Sequence, residues 1–95
     1  MSKLRRVVLD VLKPHDPEIL EFAQKTSELE GVKGTNTTLV ENEKDVEKIK
    51  ITVEGDGFSF EKVKETVENL GGSIHGIDQA ICGERLVEEV STPQD

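Results

Sequence analysis

Gly71-Gly72-Ser73-Ile74-His75-Gly76-Ile77-Asp78-Gln79-Ala80-Ile81-Cys82-Gly83 is the stretch whose reading decides the fold. Gly71-Gly72 follows a periodic apolar run and suits a left-handed helix cap. The residues after it read as a strand, in which successive side chains point to opposite faces. The odd positions are His75, Ile77, Gln79 and Ile81; the even positions are Ile74, Gly76, Asp78, Ala80 and Cys82. Both faces carry apolar groups, and one also carries a carboxylate. Such a two-sided strand belongs at the centre of a sheet or under a second layer. Gly76 is a place where a bulge would shift the parity.

Working outward, Phe60, Val63, Val67 and Leu70 recur at helical spacing, with Ser59 as the cap and Gly55-Asp56-Gly57 as the preceding turn. Residues 46–54 alternate Ile49, Ile51 and Val53 with Lys48, Lys50, Thr52 and Glu54, a strand with one buried face. Residues 32–42 read as a Thr- and Val-rich strand, joined to it by a polar hairpin turn. A helix is predicted from about 17 to 30, with Asp16 as N-cap, Pro17 at the first helical position and Gly31 at its end. Ile19, Phe22, Ala23 and Thr26 form its apolar stripe, flanked by Leu20 and Leu29. Residues 4–13 are a strand with Val7, Leu9 and Val11 on one face and Leu4, Arg6, Val8, Asp10 and Leu12 on the other. Residues 84–95 read as a mostly polar, partly flexible tail, in which Leu86, Val87 and Val90 are the residues able to dock.

The order strand, helix, strand, strand, helix, strand is the α+β, ferredoxin-like βαββαβ arrangement in a single domain over 1–95. It predicts a four-stranded antiparallel sheet with two helices on one face. The first and third strands lie in the centre and the last strand flanks the first. The face away from the helices is left bare unless a partner covers it.

Composition narrows the functions. A chain of 95 residues buries roughly 60–70% of its unfolded surface. Three Phe and no Trp or Tyr make the core aliphatic. A net charge of −8 disfavours nucleic acid and anionic membranes, which need basic surfaces, and leaves cation binding open. Cys82 is the single cysteine, so no intrachain disulfide or Cys-rich zinc site can form. It is expected to behave as a small buried apolar residue in a reducing, cytoplasmic setting.

Three constellations are candidates for chemistry. Asp10 and Asp78, on adjacent strands, could hold a hard cation, Ca2+ or Mg2+, with oxygen ligands. The competing reading pairs Asp10 with Arg6 or leaves both carboxylates solvated, and regular parity turns His75 away as a third ligand. Glu41, Glu43, Asp45 and Glu47 alternate along one side of an extended segment, though without EF-hand spacing. His15-Asp16 opens the first helix, where anions bind, but Asp16 repels them and His15 reads as an exposed loop residue. The loop after the first strand lacks Cys-x-x-Cys and an arginine cradle for phosphate. The open face lacks the aromatics of an RNA-binding sheet. No nucleophile triad or phosphate loop is present, so no catalytic residue is assigned.

The strings Leu4-Arg5-Arg6-Val7-Val8-Leu9-Asp10-Val11-Leu12-Lys13-Pro14 and Gly71-Gly72-Ser73-Ile74-His75-Gly76-Ile77-Asp78 resemble an archaeal family of small uncharacterised proteins, domain of unknown function 211. The resemblance covers nearly the whole chain. It implies a ferredoxin-like fold and ring-like homo-oligomers, and it implies no established activity or cofactor.

The resulting expectation is a non-catalytic, self-assembling binding or regulatory module. Val8, Leu12, Ile74, Ala80 and Cys82 are expected to share the open face as its interface. Two alternatives stand beside it. One is a divalent-cation protein or metal-dependent hydrolase built on Asp10 and Asp78. The other is a sensor holding a small molecule between subunits.

Overall fold

The computed structural model describes residues 2–89. The chain runs β1 (Leu4–Lys13), α1 (Ile19–Ser27), β2 (Val32–Asn42), β3 (Glu47–Gly55), α2 (Phe60–Asn69) and β4 (Ser73–Cys82). The strands form one antiparallel sheet in the order β2-β3-β1-β4. The fold is the expected ferredoxin-like one.

Alternation in the two central strands builds the core. Val7, Leu9 and Val11 of β1 stand opposite Val53, Ile51 and Ile49 of β3 in register, and all six are buried. Phe22 of α1 and Val63 and Val67 of α2 pack into the same cluster, so both helices cover this face. Phe58, just before α2, joins them. Ile19, Leu29, Phe60 and Leu70 pack around the cluster half-buried. Leu4 does so as well, which corrects its expected place on the open face. The β1–β4 register shifts between Leu4 and Arg6 and sets Leu4 towards the helices.

The caps hold the elements to length. The Ser59 hydroxyl accepts from the Lys62 amide at 3.2 Å at the start of α2. At its end Leu70 is the C-cap, and Gly71 takes a left-handed φ of 92°. The Gly71 amide donates to the Glu68 carbonyl and the Gly72 amide to the Val67 carbonyl, at 3.0 and 2.9 Å. That is a Schellman closure, in which a side chain at Gly71 would be strained. The start of α1 departs from expectation. Asp16 is not the cap: Glu18 holds that position in extended conformation with no side-chain cap bond, and the helix begins at Ile19. Residues 14–17 serve instead as a loop, in which His15 reaches the β2–β3 turn.

β4 is less regular than its alternation suggests. Its pairing with β1 shifts between Val8 and Leu9 and again between Asp10 and Val11. Asp78 and His75 are the extra residues, because Ile77 pairs Leu9 while Gln79 pairs Val8, and Ile74 pairs Val11 while Gly76 pairs Asp10. Two bulges therefore break the odd-even rule.

Candidate functional site

The bulges decide what reaches the open face. Directly paired residues in an antiparallel ladder share a face. Ile74 pairs with Val11 and Ala80 with Val7, so both sit on the helix side. Cys82 pairs with Leu4 and follows them. Of the five expected open-face residues, only Val8 and Leu12 are there, both half-buried. Ile74 packs against the core, whereas Ala80 and Cys82 are exposed on the helix side of the edge strand. Ile77 joins them there with 54% exposure. The expectation of a buried Cys82 is likewise overturned, since its thiol lies at the sheet edge.

Asp10 and Asp78 are brought together as expected. Asp10 stands opposite Lys50 of β3 and opposite Gly76 of β4. Gly76 presents no side chain, and the bulged Asp78 reaches across beside it. Lys50 Nζ lies 2.7 Å from Asp78 Oδ2 and 3.9 Å from Asp10 Oδ1. Hydrogen bonding with Asp78 favours the protonated form of Asp10 and raises it from its ordinary value; partial burial and the Asp78 charge push the same way. Asp78 is lowered, first by its bond from Lys50 and then by that from Asp10. Asp78 also holds Lys50 above its ordinary value. The arrangement is two neighbouring carboxyls, the first the easier to protonate, with a lysine biased to the second.

Arg6 does not take Asp10. Its Nε donates to Glu54 Oε2 at 2.6 Å, its two terminal nitrogens meet both Glu88 oxygens at 2.9 Å, and Nη1 also reaches Gln79 at 3.2 Å. Arg6 thereby fixes the tail at Glu88, whose carboxyl it lowers. Ile81, paired with Arg6, is buried apart from the helix-side core. Leu86 and Val87 stay exposed, and Val90 lies outside the described residues.

Beside the carboxyl pair runs an open groove of about 390 Å³, lined by Asp10, Val11, Leu12, Val40, Lys48, Ile49 and His75. His75 therefore lies on the same side as Asp10, contrary to simple parity, because it is the bulged residue. Its Nε2 is 3.0 Å from Ser73 Oγ. Gly76 was the one signal in the sequence for this outcome.

The acidic hairpin is divided between faces. Glu41 and Glu43 lean to Lys48, at 3.5 and 3.8 Å. Glu47 turns to the helix side, where its oxygens meet Lys13 Nζ at 2.8 Å and His15 Nδ1 at 3.0 Å. The expected one-sided row of Glu41, Glu43, Asp45 and Glu47 is not formed. Among the described residues no group of three or more His, Cys, Asp or Glu is gathered as a metal site. Sequence reading also missed that Lys13 is fully buried, with its ammonium 5.8 Å from the centre of the Phe22 ring. The alternation of β1 carried that signal, since Lys13 continues the Val7, Leu9, Val11 parity. No helix among the described residues is long and apolar enough to cross a membrane.

Comparison with known proteins agrees with this frame. An uncharacterised protein of Methanocaldococcus jannaschii is 45% identical over 95 residues, covering 100% of this chain and 98% of the relative. Residues 5–95 match the family model described as uncharacterised ArCR, domain of unknown function 211. The chain belongs to that family.

Proposed function

We propose that this chain is a non-catalytic, self-associating binding module of the cytoplasm, which meets further copies of itself in a ring-like homo-oligomer. The observation that carries the reading is β4. It is an edge strand with exposed Ile77, Ala80 and Cys82 on its helix side and the Asp10–Asp78–Lys50 cluster on the other. An unpaired edge invites strand addition, and adjacent apolar groups reward it. The open face adds half-buried Val8 and Leu12 and exposed Val40 around the groove. The assembly surface is thus the β4 edge together with the open face. Light scattering after gel filtration tests it, on the parent and on Val8→Lys and Ile77→Lys. Dissociation by the first variant assigns the open face, and dissociation by the second assigns the β4 edge. A parent of single-chain mass at micromolar concentration contradicts the reading.

A second reading has its own support. Asp10 and Asp78 both reach Lys50, a place a metal cation would take, and the bulge puts His75 on the same face. Ca2+ or Mg2+ would compete there with Lys50. Calorimetric titration of the parent and of Asp10→Asn and Asp78→Asn decides it. Heat lost in both variants supports the site, and unchanged heat removes it. The groove suits a small ligand between subunits as well, and a thermal-shift screen of amino acids and nucleotides tests that use.

A further inference from the structure

We propose that His15 is a pH-operated clasp between the loop after β1 and the β2–β3 turn, closed as the imidazolium and open as the neutral ring. His15 Nδ1 lies 3.0 Å from Glu47 Oε2, and Nε2 lies 2.9 Å from the Lys44 carbonyl oxygen. Both partners accept only, while a neutral imidazole has one N–H and one lone pair. In the neutral ring one lone pair would therefore face an acceptor at hydrogen-bond distance. The imidazolium donates to both.

The groups around it fix the geometry. From β3, Glu47 divides its oxygens between Lys13 and His15. From β1, the Lys13 ammonium also donates to the His15 carbonyl at 3.4 Å. From the turn comes the Lys44 carbonyl. From α1, Phe22 meets the cluster through the Lys13 ammonium. Of the charged groups, Glu47 favours the imidazolium and Lys13 opposes it. Lys13 occupies one oxygen of the Glu47 carboxylate, so the second is left for His15.

The His15 pKa is raised, first by the bond to the Lys44 carbonyl and then by Glu47. The sign follows from that direction. The stabilisation is fully present below the ordinary value of about 6.5 and is lost as pH rises through the folded value. The Lys13–Glu47 pair persists above it, so the turn loosens without the core opening.

The test needs no ligand or partner. His15 ring resonances are followed by NMR from about pH 5 to about pH 9, with His75→Gln used for assignment. Exchange protection of the Glu43 amide, which closes the turn onto the Val46 carbonyl, is followed in parallel and corrected for intrinsic exchange. The expected midpoint lies above about 6.5, and Glu43 protection falls with the same midpoint. The loss is about tenfold for each pH unit of upward shift. His15→Gln, which can donate to the Lys44 carbonyl at every pH, removes the step. A midpoint at or below about 6.5, or protection that stays flat through the His15 titration, overturns the proposal.

Discussion

Asp10 and Asp78, from β1 and β4, share one cation: Lys50 Nζ lies 3.9 Å from Asp10 Oδ1 and 2.7 Å from Asp78 Oδ2. The pair costs the fold at neutral pH, because two like charges compete for one lysine. Asp10→Asn is therefore expected to leave stability unchanged or raise it at pH 7, since the amide removes one of the two competing charges and can donate to Asp78. Asp78→Asn is expected to lower it, because Lys50 loses its partner at 2.7 Å. Denaturant unfolding of the two variants reads the opposite signs. Asp78 is lowered, so its contribution is present above its ordinary value of 3.8 and fades as pH falls through the folded value. Equal losses from both substitutions would show that the carboxyls act independently.

Leu9 is wholly buried between the sheet and the helices. Leu9→Ala is expected to cost about 2–5 kcal/mol through lost transfer energy and the cavity left behind. Urea unfolding with an unchanged m-value measures it, and a loss well below about 1 kcal/mol contradicts the core assignment.

Lys13 and Glu47 are unequal partners. Removing Glu47 strands a buried ammonium, whereas removing Lys13 leaves a carboxylate still bonded to His15. Glu47→Ala is expected to destabilise more than Lys13→Met, whose apolar chain fills the same space beside Phe22. Thermal unfolding of both variants checks the order, and the reverse order rules out the buried-charge argument.

Two glycines are set by close approach. A Cβ at Gly55 would collide with the Gly31 carbonyl oxygen, which is backbone and cannot yield. Gly55→Ala is expected to fail to reach the native state. A Cβ at Gly72 would lie 3.0 Å from atoms of Phe22 and Val67, which are side chains. Gly72→Ala is therefore expected to fold, with a loss of about 1–3 kcal/mol from overpacking. Circular dichroism and melting separate the two outcomes, and a stable Gly55→Ala protein would refute the contact.

The frame was legible in the sequence because it rests on local periodicity. The alternation of Val7, Leu9 and Val11 against Ile49, Ile51 and Val53 carries the central pair, and Gly71-Gly72 carries the helix stop. The facing of β4 was not legible. Each bulge inverts every position beyond it, and nothing in Ile74 to Cys82 except Gly76 marks where the inversion falls. The Lys13–Glu47–His15 cluster was hidden for another reason: Glu47 lies 34 residues from Lys13, and only the β1–β3 register joins them. Asp16 was misread as a cap because cap chemistry suits it, while His15 uses the same loop to hold the turn. The site was half legible: the two carboxylates were identified, while Lys50 was read only as the solvent side of an alternating strand.

The most direct test of self-association is the native mass. Light scattering after gel filtration at micromolar concentration is expected to give a multiple of the chain mass. Raised salt should tighten the assembly by screening the net charge of −8, and Ile77→Lys or Val8→Lys should lower the mass. A parent eluting at single-chain mass in low and high salt would contradict the account.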